Sequence, residues 1–186
     1  GHERVHLFHR RRQAQQVVFQ TLDKRIAVRL GRGRQAAGFE AIVELGAGTG
    51  SVTRELAADH PRVRLIAVER DPSLARGLAR VCPQAAIREG CVHQHLDEIA
   101  AQPARTVIVS SLPFRSLPTS LAAAAIATLE RFLLDRPDGK LVQYSYGLRA
   151  PFAFAHEAIA WKRVERVWGN LPPAVVWVAR RADRRD

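Results

Sequence analysis

The chain has 186 residues, 47% hydrophobic and 25% charged, a balance that excludes wholesale disorder and suits one α/β domain with a proper core. No apolar run nears the roughly 20 residues of a membrane span, and none resembles an export leader, so neither crossing nor export is expected. Twenty-nine Lys and Arg against 18 Asp and Glu leave a formal charge of +11, which points to a polyanionic partner, either nucleic acid or an anionic membrane surface.

Taken in chain order, Leu7, Phe8, Ala14, Val18, Leu22, Ile26 and Leu30 recur at helical spacing with basic residues between them, which predicts a basic amphipathic helical segment over residues 1–38. Residues 1–40 hold nine Arg or Lys against Glu3, Asp23 and Glu40, a net +6 and over half of the whole. Such a segment can lie in an anionic membrane surface or cover a ligand site as a lid. The glycine-containing stretch Gly31 to Gly38 places a boundary near Gly38.

From there, β-type runs at Ala41–Leu45, Val63–Glu69, Ala85–Arg88, Arg105–Ser110 and Lys140–Tyr146 alternate with helical runs at Ser51–Asp59, Ser73–Val81, Gln94–Ala101 and Pro118 to about Leu134. That rhythm is the mark of parallel βαβ units. It changes at the end, where Val164–Trp168 and Val175–Ala179 flank Gly169 to Pro173 and read as an antiparallel hairpin. The expected fold is an α/β, doubly wound, Rossmann-like sheet of seven strands, mostly parallel, over residues 39–181, with a basic tail at 182–186. The two cysteines, Cys82 and Cys91, lack metal-ligand spacing and read as reduced thiols, with no metal expected.

The strongest motif is VELGAGTG, Val43 to Gly50: a buried strand running into a turn, Gly46, Ala47, Gly48, Thr49 and Gly50, that opens a helix. Its glycines let backbone approach a ligand without obstruction by Cβ. A dinucleotide pyrophosphate would fit the same turn, so context decides. Glu44, two residues before Gly46, suits the ammonium of an amino-acid moiety, which a dinucleotide lacks. Glu69, with Arg70 beside it, ends the second strand and suits the two ribose hydroxyls of an adenosyl ligand.

VELGAGTGSVTREL followed by AVERDPSLARGLA resembles the first two motifs of class I methyltransferases, which implies S-adenosylmethionine as cofactor and S-adenosylhomocysteine as product. The family's Gly-Asp pair after the third strand, which bonds adenine, is here Gly90 and Cys91. A thiol is a weak hydrogen-bond partner, so two roles stay open at Cys91: core packing, or an adenine contact through the amides of Cys91 and Val92 with help from His93.

The fourth strand ends in Ser110-Ser111-Leu112-Pro113-Phe114, where methyl would meet acceptor. This run resembles both the NLPY motif of ribosomal RNA adenine N6-dimethylating enzymes and the SxLPL motif of bacterial phospholipid N-methyltransferases. Ser111 stands where the adenine enzymes carry Asn, whose side-chain carbonyl a hydroxyl does not reproduce. Gln143 to Gly147, QYSYG, and Trp168 to Arg181, WGNLPPAVVWVARR, are further similar to the lipid family. The resemblance implies a cytoplasmic enzyme on the inner face of the cell membrane, methylating phosphatidylethanolamine toward phosphatidylcholine; an RNA or DNA adenine N6-methyltransferase is the alternative. A monomer is expected.

On this reading Tyr144, Tyr146 and Phe114 form an aromatic wall that tolerates an ammonium gaining methyl groups, and Ser111 completes the catalytic set. Arg115 and Arg149, which follow the two strand ends, suit a lipid phosphate. SSLPF holds no carboxylate, so the base is a tyrosine, a histidine such as His156, or water.

Overall fold

The computed structural model describes residues 38–146, 149–167 and 174–182. The expected basic helical segment, save its boundary residue Gly38, and the basic tail beyond Ala182 lie outside the described residues.

The apolar runs form a parallel core. Strands β1 (Ala41–Leu45), β2 (Arg64–Glu69), β3 (Ala86–Glu89), β4 (Thr106–Ser110) and β5 (Lys140–Tyr146) are all parallel to one another. Two longer strands, β6 (Ile159–Val167) and β7 (Ala174–Arg181), follow. The sheet order is β3-β2-β1-β4-β5-β7-β6, with β7 antiparallel to both β5 and β6. Every residue of β1 and β4 is buried, as a central parallel strand covered on both faces requires.

Helices α1 (Ser51–Asp59), α2 (Pro72–Val81), α3 (Leu96–Ala100) and α4 (Thr119–Asp135) supply that cover. Because alternate strand residues face opposite sides, two cores result. One joins Ile42, Val107 and Val142 with Val52 and Leu56 of α1 and Leu78 of α2. The other joins Val43, Leu45, Ile108 and Leu141 with Ile99 of α3 and Leu129, Phe132 and Leu133 of α4. The start of α2 follows from sequence: Asp71 caps it by accepting from the Ser73 and Leu74 amides at 2.8 and 3.1 Å, and Pro72 opens the first turn, where its missing N–H costs nothing.

The doubly wound, seven-stranded fold with an antiparallel end is the one the sequence predicts. Most boundaries shift by a residue or two, and two differences have a local cause. The predicted helix from Gln94 resolves into a 3₁₀ turn, Val92–His95, running into α3. Strand β6 begins at Ile159, five residues before the predicted start: the charges at Lys162 and Arg163 hide the alternation, an edge strand tolerates them, and a register shift between Arg163 and Glu165 breaks the period.

Candidate functional site

Strand order reverses between β1 and β4, whose outgoing connections leave toward opposite faces of the sheet, and that divergence opens a crevice beyond the strand ends. A cavity of about 520 Å³ occupies it, within the range of small-molecule sites. Its floor is the glycine turn after β1, its sides are the ends of β2, β3 and β4, and α4 closes one flank.

The glycine turn is shaped by backbone that other residues adopt with strain. Gly46, Gly48 and Gly50 take φ of 77°, 59° and 80°, in the left-handed region. The Gly46 and Ala47 amides donate to the Val68 carbonyl at 2.9 and 3.1 Å, tying the turn to β2. A Cβ at Gly50 would run into Leu78 of α2, whereas one at Gly48 would meet nothing within 4 Å. Gly50 thus serves packing, and Gly48 leaves open space beside the cavity.

Glu69 ends β2 with its side chain turned into that space. The Gly48 amide donates to its Oε2 at 2.7 Å and the Asp71 amide to its Oε1 at 2.8 Å. Two backbone donors lock the carboxylate, and each oxygen keeps a lone pair for a further donor. Glu69 lines the cavity with Ala47, Gly48, Thr49 and Arg70, an arrangement able to accept from a pair of vicinal hydroxyls.

Glu44 has a different place. It is fully buried, its Oε2 accepts from Thr53 Oγ1 of α1 at 2.6 Å, and it is not part of the cavity wall. The sequence reading aims Glu44 at a ligand ammonium; the structure turns it toward α1, fastening the helix to the strand beneath it.

On the β3 side, Gly90, Cys91, Val92 and His93 form the wall. The Cys91 amide donates to Gln94 Oε1 at 2.7 Å, so that donor is committed to the 3₁₀ turn and not to a ligand. Cys91 is half-buried with a free thiol. Behind this wall Arg88 grips Glu98 with two bonds of 2.7 Å each, from Nε and Nη2, joining β3 to α3. The guanidinium holds the Glu98 carboxyl below the usual carboxylate range against an opposing effect of burial. Cys82, beneath α2, is fully buried, and burial pushes its thiol up.

At the end of β4 the chain is held at successive atoms. The Ser111 amide donates to the Leu45 carbonyl at 2.9 Å. Buried Ser110 accepts from the Leu112 amide through Oγ at 3.3 Å, and Gln143 Nε2 donates to the Leu112 carbonyl at 3.1 Å. Ser111, Leu112 and Pro113 line the cavity; Ser110 and Phe114 do not. Leu117, Leu121 and Ala125 complete the wall, a stripe four residues apart along one face of α4 and the turn before it.

The expected aromatic wall is not assembled. Tyr144 is buried in the core beneath α1 and α2, while Phe114 belongs to the core on the α4 side. Phe114 packs on Phe152 with centroids 4.5 Å apart, and Phe152 packs on Phe154 and Trp161 at 5.1 and 5.2 Å, a closed cluster with no room between rings. The side chain of Tyr146 lies outside the described residues. Arg115 and Arg149 are exposed and outside the cavity wall, with Arg115 Nη2 donating to the Ala150 carbonyl at 3.5 Å. His156 is exposed, and its Nδ1 accepts from the Ala158 amide at 3.1 Å.

Sequence reading did not single out Leu74, Leu112, Leu117, Leu121, Ala125 or Gln143 as site residues. Only the four-residue spacing of Leu117, Leu121 and Ala125 carried a signal, and a helix facing a cavity has the same spacing as one facing a core.

The sequence matches no protein-family model and no curated protein. Its fold is similar to that of the N-methyltransferase NodS from Bradyrhizobium japonicum (TM-score 0.60, 18% identity, 89% of this chain and 97% of that one). It is similar also to the O-methyltransferase TomG from Streptomyces achromogenes, solved with SAM (TM-score 0.60, 14% identity, 88% and 80%), and to Aeropyrum pernix fibrillarin with natively bound S-adenosyl-L-methionine (TM-score 0.59, 16% identity, 84% and 74%). The chain therefore has the Rossmann-like fold of S-adenosylmethionine-dependent methyltransferases.

Proposed function

We propose that this chain is an S-adenosylmethionine-dependent N-methyltransferase acting on the amine of phosphatidylethanolamine and its methylated intermediates, toward phosphatidylcholine. The observation that carries the methyltransferase reading is the Glu69 carboxylate, locked by the Gly48 and Asp71 amides at 2.7 and 2.8 Å beside the glycine turn. S-adenosylmethionine, when bound, supplies an electrophilic methyl group. Glu69 would accept from its ribose hydroxyls, and the open space at Gly48 would admit its body against the backbone. Val92 and Leu74 would give the adenine ring apolar walls, which suits a site where Cys91 replaces a carboxylate.

The Ser111 to Pro113 turn and the Leu117–Leu121–Ala125 stripe then face the acceptor. They exclude water from the reacting end and offer apolar contact to a lipid body. Their chemistry also implies how the proton leaves. Among the described residues that line the cavity, the titratable ones are Glu69, Arg70, Cys91 and His93, all on the β2 and β3 sides. That lining supports an acceptor amine that arrives neutral or releases its proton to water, since a protonated amine has no lone pair to attack with.

The lipid acceptor rests on the likeness of Ser110 to Phe114, Gln143 to Gly147 and Trp168 to Arg181 to phospholipid N-methyltransferases, together with the charge of +11. Residues 1–37 would dock the enzyme on the anionic inner face of the cell membrane; no described helix is long and apolar enough to cross one. Labelled methyl from S-adenosylmethionine should enter lipid extracted from vesicles of phosphatidylethanolamine and an anionic lipid, and not total RNA offered in parallel. Label in RNA alone would replace the lipid acceptor with adenine.

A further inference from the structure

We propose that Gln143 is a positioning residue for methyl transfer: it fixes the Leu112 peptide, and with it the acceptor turn, over the glycine turn of the cofactor site. The inference rests on the methyltransferase reading above and adds to it a residue that never touches cofactor or acceptor.

Gln143 lies on β5, where it pairs with Ser110 of β4, and it is 2% exposed. Its Nε2 donates to two carbonyls, that of Leu112 at 3.1 Å and that of Tyr144 at 2.8 Å. The alternative amide orientation would set Oε1 against both carbonyl oxygens, so the orientation is fixed by chemistry. In it the buried Oε1 has no hydrogen-bond partner among the described residues. An amide buried with an unsatisfied oxygen is a poor stabiliser, because that oxygen has given up water without gaining a donor. A leucine there would fill similar space without the penalty, so the value of the amide lies in the carbonyl it holds.

Leu112 is where the hold matters. Its N–H is taken by Ser110 Oγ, its carbonyl accepts from the nearby Phe114 amide at 3.0 Å and from Gln143, the donor that ties it to β5, and its side chain rests on Gly46, where an added Cβ would stand 3.2 Å from Leu112 Cδ2. One residue thus touches the glycine turn, lines the cavity and is fixed at both backbone atoms, so a slip at Leu112 shifts the acceptor relative to the methyl donor. A displacement of about 1 Å between reacting groups costs about a hundredfold in rate.

The test compares Gln143→Leu, Ser110→Ala and the double variant in three readouts: kcat for methyl transfer to phosphatidylethanolamine vesicles, the Kd for S-adenosylmethionine, and the melting temperature. In Gln143→Leu, kcat falls between about tenfold and a hundredfold, while Kd stays within about twofold and the melting temperature does not fall. The double variant loses little more than the worse single one, since both act on the same peptide. Amide exchange at Ser111 and Leu112 rises while that of β1 is unchanged. A kcat within twofold of wild type with unaltered exchange at Leu112 overturns the proposal, as does a loss that follows a fall in melting temperature. Should the wild type methylate no lipid, the reading of the acceptor fails, and exchange at Leu112 still decides whether Gln143 holds the turn.

Discussion

Gly50 and Gly48 are both left-handed, yet they answer to different demands, and substitution separates them. Alanine at Gly50 meets Leu78 as well as backbone strain, so Gly50→Ala should lose about 2–4 kcal/mol in urea unfolding. Gly48→Ala meets no atom and should lose only about 1–2 kcal/mol, with weakened cofactor binding as its main effect. Equal losses at the two positions would contradict the assignment of Gly50 to packing and Gly48 to the ligand. At this scale the sequence is legible where a residue ends its strand. Glu69, at the tip of β2, is free to reach the glycine turn, and position alone indicates it. Glu44 sits inside a strand buried on both faces, and its fate depends on Thr53, nine residues on and across the turn, a pairing no local pattern announces. Tyr144 is misleading for a related reason: side-chain alternation places it on a face of the sheet, but which core lies behind that face is set by the helices; Phe114, in the turn beyond β4, has no alternation to place it.

Among the described elements, β3 and α3 are joined by a link that acid weakens. Glu98 has its carboxyl lowered in the folded state by Arg88, so the pair contributes stability above the ordinary carboxylate pKa of about 4.3 and loses it as pH falls through the lower folded value. Both side chains are about one-third exposed, which limits the coupling to about 1 kcal/mol in a double-variant cycle of Arg88→Met and Glu98→Gln. Stability at pH 7 and pH 3 should differ less in Glu98→Gln than in wild type; an equal difference would remove the pair from the account. Leu121→Glu places a charge in the apolar acceptor wall and should cut turnover on phosphatidylethanolamine at least about tenfold while S-adenosylmethionine Kd stays within about twofold. A joint loss of both would mean that α4 shapes the cofactor end. The helices and parallel strands are legible because their apolar periods run unbroken. The start of β6 is not, because an edge strand bearing Lys162 and Arg163 with a register shift has no period to read.

Across the whole molecule, the parallel order and the crevice at its reversal follow from the βαβ rhythm, so the location of the cavity is legible in the sequence. The insertion of β7 between β5 and β6 was not, since two antiparallel strands fit an edge in either order and only packing selects one. Charge acts at this scale too. With +11 overall and each basic residue near an anionic surface contributing about 1 kcal/mol, sedimentation with anionic vesicles should be strong at low salt and fall steeply as the screening length shrinks below about 10 Å. Binding indifferent to salt, or equal on neutral vesicles, would contradict an electrostatic membrane contact. Reaction rate should likewise rise with pH as the acceptor amine deprotonates, and a plateau near pH 7 would point instead to a histidine base.

Calorimetric titration of S-adenosylmethionine into the wild-type chain and Glu69→Ala tests the cofactor site directly. Glu69 as the ribose ligand requires saturable one-to-one binding by wild type and at least about hundredfold weaker binding by the variant, which loses charge-assisted acceptors for two hydroxyls, with both proteins equally folded by circular dichroism. Absence of binding to wild type, or equal affinity in the two, would contradict it.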